Sequence, residues 1–239
     1  MEGAPAEAAA RAYAAAEAPP DATPWRQAPF VVIDLETTGL DPARDEIISF
    51  ATVPVDGGRV RPGEGRYELV RPQRMPSAAT IRIHGLRPAD LASAPPQAEL
   101  LGTLLEALRG RVLVAHVASI EEGFLRAALA EQGVELLNPV ADTAAMAARL
   151  AALRGHHAAA RRAIGLTRLA RSLDLPVHRP HHADGDALTT AQAFIALAAH
   201  LEAFEPVTVG SLRGLRAPRD EPSRLRRLVR RAAAALRRA

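Results

Sequence analysis

The stretch FVVIDLETTGLDP, residues 30–42, decides the fold. Its first four residues are strand formers with no polar break, the pattern of a strand covered on both faces. Asp34 and Glu36 close the run, and the segment after them reads as a turn. Side chains two apart on a strand share a face, so both carboxylates project together while Leu35 points the other way. Two like charges held this close repel, and a pKa rises unless a cation lies between them. Oxygen donors with no sulfur suit magnesium or manganese. Taken alone, the pair is also what a polar strand end looks like.

Working outward, EIISFATVPV (46–55) and GRYELVRP (65–72) read as two more strands. Glycine-containing turns between them make an antiparallel meander. The period then changes. QAELLGTLLEALRG (97–110) has leucines at helical spacing and stops at Gly110. RVLVAH (111–116) is a fourth strand, ASIEEGFLRAALAEQG (118–133) a helix ending at Gly133, and NPVADTAAMAARLAAL (138–153) a short strand entering a helix capped by Asp142. LTRLARSLDL (166–175) and DGDALTTAQAFIALAAHLEAF (184–204) are further helices. A strand meander followed by strand–helix units predicts an α/β three-layer domain with a mixed sheet.

Composition bounds the rest. The 239 residues suffice for one domain with tails. With no cysteine, disulfide frameworks, thiolate metal sites and thiol catalysis are excluded. No apolar run approaches the roughly 18 residues of a membrane span, and the acidic, alanine-rich start lacks a secretory pattern, so a cytoplasmic protein is expected. Residues 1–28 read as a disordered or weakly helical Ala/Pro-rich leader, 29–205 as the folded domain and 206–239 as an Arg-rich tail. All 30 basic residues are arginines. Ten of them fall in residues 211–239 beside only Asp220 and Glu221, so this segment carries +8 and residues 1–210 carry 20 − 25 = −5. Leu225, Leu228, Val229, Ala232 and Leu236 give the tail helical spacing. Nucleic-acid phosphates, a protein or an anionic membrane would all suit it.

Five segments, in order, carry a resemblance: DLETTGLDP (34–42), IRIHGLRPADL (81–91), LVAHVASIEEGFL (113–125), DTAAMAARL (142–150) and HHADGDALTTAQAF (181–194). Together they resemble the DEDDh, or DnaQ-like, 3′→5′ exonucleases, whose proofreading members include the epsilon subunit of DNA polymerase III. The resemblance covers about residues 29–201. It implies a ribonuclease H-like fold with a mixed, mainly five-stranded sheet. It implies two divalent ions, Mg2+ or Mn2+, on Asp34, Glu36 and Asp186, with Glu121 reaching the second through water. His181 would be the general base, since histidine titrates near neutrality, and Thr37 and Thr38 would orient the substrate's 3′ end. The implied function is hydrolysis of DNA 3′ ends to nucleoside monophosphates in proofreading or repair, with a DNA polymerase subunit as a partner. An RNA-trimming exonuclease and a non-catalytic nucleic-acid or polymerase-binding module are the rivals.

The second segment departs from the family's H-N-A-x-F-D: here it reads His116-Val117-Ala118-Ser119-Ile120-Glu121. At about 100° per residue, Val117, Ile120, Phe124, Leu125 and Ala128 form one apolar stripe. Glu121 falls inside it. Glu122 falls on the polar side, four residues before Arg126. Glu121 is therefore expected to be held inward beside Asp34, and Glu122 to be solvated. His178, His181, His182 and His200 also offer a zinc reading, but the H-x-A-x-x-D spacing runs through His181 only, and it favours Asp186 over Asp184. His84 is expected in a turn before Gly85. His156, His157, Arg161 and Arg162 are either phosphate contacts or a solvated loop.

Overall fold

The computed structural model describes residues 3–218. Its elements run α1 (Gly3–Ala14), β1 (Phe30–Thr37), β2 (Ile47–Asp56), β3 (Arg59–Val60), β4 (Arg66–Leu69), α2 (Ala78–His84), α3 (Pro88–Ala92), α4 (Gln97–Leu108), β5 (Val112–Ala115), α5 (Ser119–Ala130), β6 (Val140–Asp142), α6 (Thr143–Leu153), α7 (His157–Ala160), α8 (Leu166–Ser172), α9 (Ala183–Glu202) and α10 (Val209–Gly214). The expected three-layer α/β architecture is the one the chain adopts.

The sheet order is β3-β2-β1-β5-β6, with β4 also paired to β2. β1 and β2 are antiparallel, whereas β5 runs parallel to β1 and β6 parallel to β5. β1 is thus central, and its apolar run is buried on both faces. Phe30 and Val32 pack toward α6, α8 and α9. Val31 and Ile33 pack toward α1, α4 and α5. Leu35 continues the second set. By the same alternation Asp34 and Glu36 continue the first, so they face α9. A register shift between Glu36 and Thr37 marks a bulge where β1 leaves the sheet, a common device for re-aiming a side chain beside a site.

Helix ends follow the sequence signals. Gly110 and Gly133 lie just beyond α4 and α5 with φ of +66° and +69°, a backbone state that costs glycine little. Asp142 caps α6 by accepting from the Ala144 amide at 2.8 Å.

Three expectations need correction. The leader is helical over Gly3–Ala14, as one of the two expected forms has it, but it is not loose: Tyr13 and Trp25 are buried at 2% and 1% exposure. The Tyr13 hydroxyl donates to Asn138 Oδ1 (2.6 Å), and Trp25 Nε1 donates to Glu202 Oε1 (2.6 Å). Trp25 also meets Phe194 edge-on at 6.1 Å. These aromatics supply burial that the Ala/Pro-rich remainder of the segment does not. The boundary at 205 is likewise too early, because Val207 joins the core, as do Val209 and Leu212 from α10. Finally, His84 ends helix α2 rather than sitting in a turn, and its Nδ1 accepts from the Leu86 amide. The tail pattern at 225–236 lies outside the described residues.

Candidate active site

Three elements deliver the carboxylates. The end of β1 carries Asp34 and Glu36, the first turn of α9 carries Asp186, and the first turn of α5 carries Glu121. One ligand oxygen from each of Asp34, Glu36 and Asp186 lies within 4.8 Å of the others. Among the described residues this is the one such group of three. The four histidines of the zinc alternative do not converge. His178 Nε2 meets Gln192, and His182 Nδ1 meets Asp184.

Burial and repulsion act together here. Burial drives the Asp34 carboxyl well above its ordinary range, and Glu36, Asp186 and Glu121 push it the same way. Burial followed by Asp186 raises Glu36 to about 8. Burial also raises Asp186, although the His181 amide opposes this by donating to Asp186 Oδ2 at 2.9 Å. A half-buried cluster of carboxylates that raise one another's pKa fits hard divalent cations through its oxygen donors.

Glu121 is 7% exposed and its Oε2 has no hydrogen-bond partner. Burial, with Asp142 and Glu36 adding to it, raises its carboxyl to about 8. It stands outside the 4.8 Å group yet acts electrostatically on Asp34 and Glu36. Its neighbour Glu122 points outward and receives Arg126 at 2.8 Å. The two adjacent glutamates therefore separate as the stripe predicts, with one refinement. α5 starts at Ser119, so Val117 precedes the helix and lies in the left-handed region at φ +62°.

Asp142 fixes that elbow. Its carboxylate accepts from the amides of Val117 (3.1 Å), Ala118 (3.2 Å) and Ala144 (2.8 Å). Beside it, His116 Nε2 lies 2.9 Å from the Ile164 carbonyl and Nδ1 lies 2.9 Å from the Thr143 hydroxyl. A carbonyl only accepts, so Nε2 carries the proton and Nδ1 receives the hydroxyl's. Burial favours this neutral form by lowering the His116 pKa.

His181 is exposed and holds a left-handed φ of +62° in the loop that precedes α9. That loop lies hard against the helix: a Cβ at Gly185 would stand 2.5 Å from the His178 carbonyl. Thr37 and Thr38 follow Glu36, but their hydroxyls bind their own loop. The Thr37 hydroxyl donates to the Gly39 carbonyl, and Thr38 Oγ1 accepts from the Glu46 amide at 3.0 Å. One neighbour escaped the sequence reading. Tyr67 on β4 stacks against His182 with ring centroids 4.9 Å apart, and burial, with Asp184 and Glu36 adding to it, raises its phenol. The alternation of β4 puts Tyr67 on one face, but its partner lies 115 residues away.

A central mixed sheet whose middle strand ends in paired carboxylates, answered by a third from a following helix, defines a nuclease-like α/β domain. The exonuclease family model RNase T matches residues 31–194, and the chain belongs to this DnaQ-like 3′→5′ exonuclease family. It is 37% identical over 193 residues to a DNA polymerase III subunit epsilon-like protein of Rhodobacter capsulatus, which covers 80% of this chain and 26% of that protein. It is 34% identical over 176 residues to the PolC-type DNA polymerase III of Thermotoga maritima, covering 73% and 12%. The chain thus spans about a quarter or less of these relatives' length. Among solved structures it resembles exonuclease X in complex with 5′-overhanging duplex DNA (TM-score 0.60, 23% identity, 77% of this chain and 99% of that one). It also resembles E. coli exonuclease I in complex with a dA16 oligonucleotide (TM-score 0.65, 16% identity, 74% and 42%). These likenesses bear on the fold, which is the expected ribonuclease H-like one.

Proposed function

We propose that this protein is a metal-dependent 3′→5′ exonuclease that releases nucleoside monophosphates from DNA 3′ ends, in proofreading or repair. The observation that carries this is the trio Asp34, Glu36 and Asp186, half-buried, with one oxygen of each within 4.8 Å of the others and with raised pKa values. Such a cluster is costly to hold unless a cation meets it. In this reading the trio holds two divalent ions, Mg2+ or Mn2+, and Glu121 supports the second through water. Ions held there would supply Lewis acidity for the attacking water and the leaving 3′-oxygen. His181 takes the water's proton as the water attacks phosphorus and the bond to the 3′-oxygen breaks. The tether from the His181 amide to Asp186 keeps that base beside the carboxylates. Thr37 and Thr38 line the rim next to Glu36 and position the 3′ end through the loop they brace. The family relatives carry polymerase names, which supports a polymerase subunit as partner and a cytoplasmic setting. Among the described residues no helix is long and apolar enough to cross a membrane.

The test uses the full chain, magnesium or manganese, and labelled single-stranded DNA and RNA. Wild type is expected to shorten DNA from its 3′ end. Asp34→Ala should lose on the order of a thousandfold, since Lewis-acid stabilisation supplies several kcal/mol. His181→Ala should lose about 10²–10⁴-fold. Cleavage by wild type and Asp34→Ala alike would sink the site assignment. A strong preference for RNA would replace the DNA reading with the RNA-trimming one. No cleavage of either would leave a binding module.

A further inference from the structure

The mechanism leaves one charged region unused. From Thr143 to Leu173 the chain has six arginines, two histidines and no acid. Arg149 pairs with Glu205. The other five, Arg154, Arg161, Arg162, Arg168 and Arg171, are all exposed, and none meets a carboxylate among the described residues. Nine arginines elsewhere do have such a partner. Five uncompensated cations on a body that is otherwise net negative mark an anion surface.

The region is also concave. A cavity of about 620 Å³ opens between α6, α8 and α9 and the segment joining α6 to α8. Leu150, Leu169, Leu173 and Leu197 give it an apolar floor, and Arg154, His156, Arg162 and Arg168 stand in its wall. Among the described residues no carboxylate lines it. By contrast, three other cavities near the surface each include acids: Glu122 and Asp142, Asp45 and Glu131, or Glu202 and Glu205. An apolar floor under a cationic rim suits a ligand with a flat, weakly polar body and a phosphate edge. A nucleotide of a single strand has this form.

The cavity is physically tied to the candidate active site. Ile164 forms part of its wall, and the Ile164 carbonyl is the group that His116 holds at 2.9 Å, five residues before Glu121. Leu197 lies eleven residues after Asp186 on α9, about 16 Å along the helix. That separation is a few nucleotides of strand.

We propose that this cavity and its arginines form a second nucleic-acid subsite, which holds the phosphates of the strand a few nucleotides upstream of the 3′ end being cut. The proposal rests on the nuclease reading. It assigns Arg154, Arg162 and Arg168 to phosphate contact, with no part in the chemical step. Extended substrates then gain affinity there, whereas a substrate of a single nucleotide cannot reach it.

The test compares wild type with the triple variant Arg154→Ala/Arg162→Ala/Arg168→Ala and the corresponding triple lysine variant. Binding of a 5′-fluorescein oligothymidylate of about 12 nucleotides, within the range one such site covers, is followed by anisotropy. Calcium replaces the catalytic ion, and salt is varied. Hydrolysis is followed on the same strand and on the p-nitrophenyl ester of thymidine 5′-monophosphate. The alanine variant should bind the strand about tenfold or more weakly, with the salt slope reduced by about 2–3. Its KM for the strand should rise with kcat held, and its rate on the ester should match wild type. The lysine variant should keep most of the slope, because lysine still neutralises phosphate. An alanine variant with wild-type affinity and slope would overturn the proposal. If that variant loses its thermal transition, Arg162→Glu is read by the same criteria. Failure of the nuclease reading is separate: wild type would then cleave neither substrate, while anisotropy would still report the surface.

Discussion

At the scale of single residues, Val117 carries backbone strain. A β-branched residue at φ +62° is disfavoured by about 1–3 kcal/mol. The conformation is imposed from outside, since Asp142 accepts from the Val117 and Ala118 amides and turns the chain from β5 into α5. Asparagine tolerates that region better, and it is the residue the family pattern has at this place. Val117→Asn should therefore stabilise the protein, because the side chain is half-exposed and little apolar burial is lost. A gain near 1 kcal/mol corresponds to a melting temperature about 2–4 °C higher in a domain of this size, read by thermal unfolding. An unchanged or lower transition in both Val117→Asn and Val117→Gly would refute the strain argument. The departure from the family was legible in the sequence, but its cost was not. Helical spacing placed Val117 on the α5 stripe, and only the Asp142 bonds show that the helix starts two residues later. Glu121 was legible for the opposite reason. The residues around it, Phe124, Leu125 and Ala128, are apolar at helical spacing and do face the core, so a carboxylate among them had to point inward.

At the scale of elements, α9 and the loop before it act as one unit. Ordinarily Gly→Ala inside a helix stabilises by up to about 1 kcal/mol. At Gly185 the sign should reverse. A Cβ there would lie 2.5 Å from the His178 carbonyl and 2.7 Å from the Arg179 carbonyl, both backbone atoms that cannot swing aside. Thr189 holds the same loop by accepting from the His178 amide at 3.0 Å. Gly185→Ala must push the loop outward, at about 1–3 kcal/mol of overpacking. The shift breaks the bond from the His181 amide to Asp186 and misplaces the base. We expect a net fall in stability and a kcat reduced on the order of 10²-fold, since about 1 Å of misplacement suffices for that. A variant with wild-type kcat would show that the loop is not what places His181. The long elements were readable because their apolar period is strong. The two-residue β3 and the short helices α2 and α3 were not: each is too brief to show a period, and local turn bonds such as Ser77 capping α2 decide them.

At the scale of the whole molecule, what the sequence hid was mainly long-range. Tyr13 and Trp25 are held by Asn138 and Glu202, which lie 125 and 177 residues away. No local pattern announces such partners, so an alanine-rich segment read as a leader. The assembly of Asp34, Glu36, Glu121 and Asp186 is long-range too, but its parts were visible because each closes or opens a recognisable element. The assembly has a consequence for stability. Burial raises Glu36 and Glu121 from an ordinary value near 4.5 to about 8 in the folded chain. For an acid raised on folding, the stabilising contribution is complete below the unfolded value and is lost as pH climbs through the folded one. Without metal, these two groups should therefore weaken the fold progressively between about pH 4.5 and 8. Bound divalent ions favour the charged forms and reverse this, so the rise in melting temperature on adding manganese to chelated protein should grow across the same window. Other groups titrate there as well. His84, which burial lowers to about 4, works in the opposite direction below its ordinary 6.5. The contribution of the cluster is isolated by subtracting wild type from Glu121→Gln, which stays neutral at every pH. In chelator, Glu121→Gln should melt a few degrees above wild type at about pH 8, and the two should converge toward pH 4.5. A difference that does not change with pH would mean that Glu121 is not a carboxylate held at the expense of the metal-free fold.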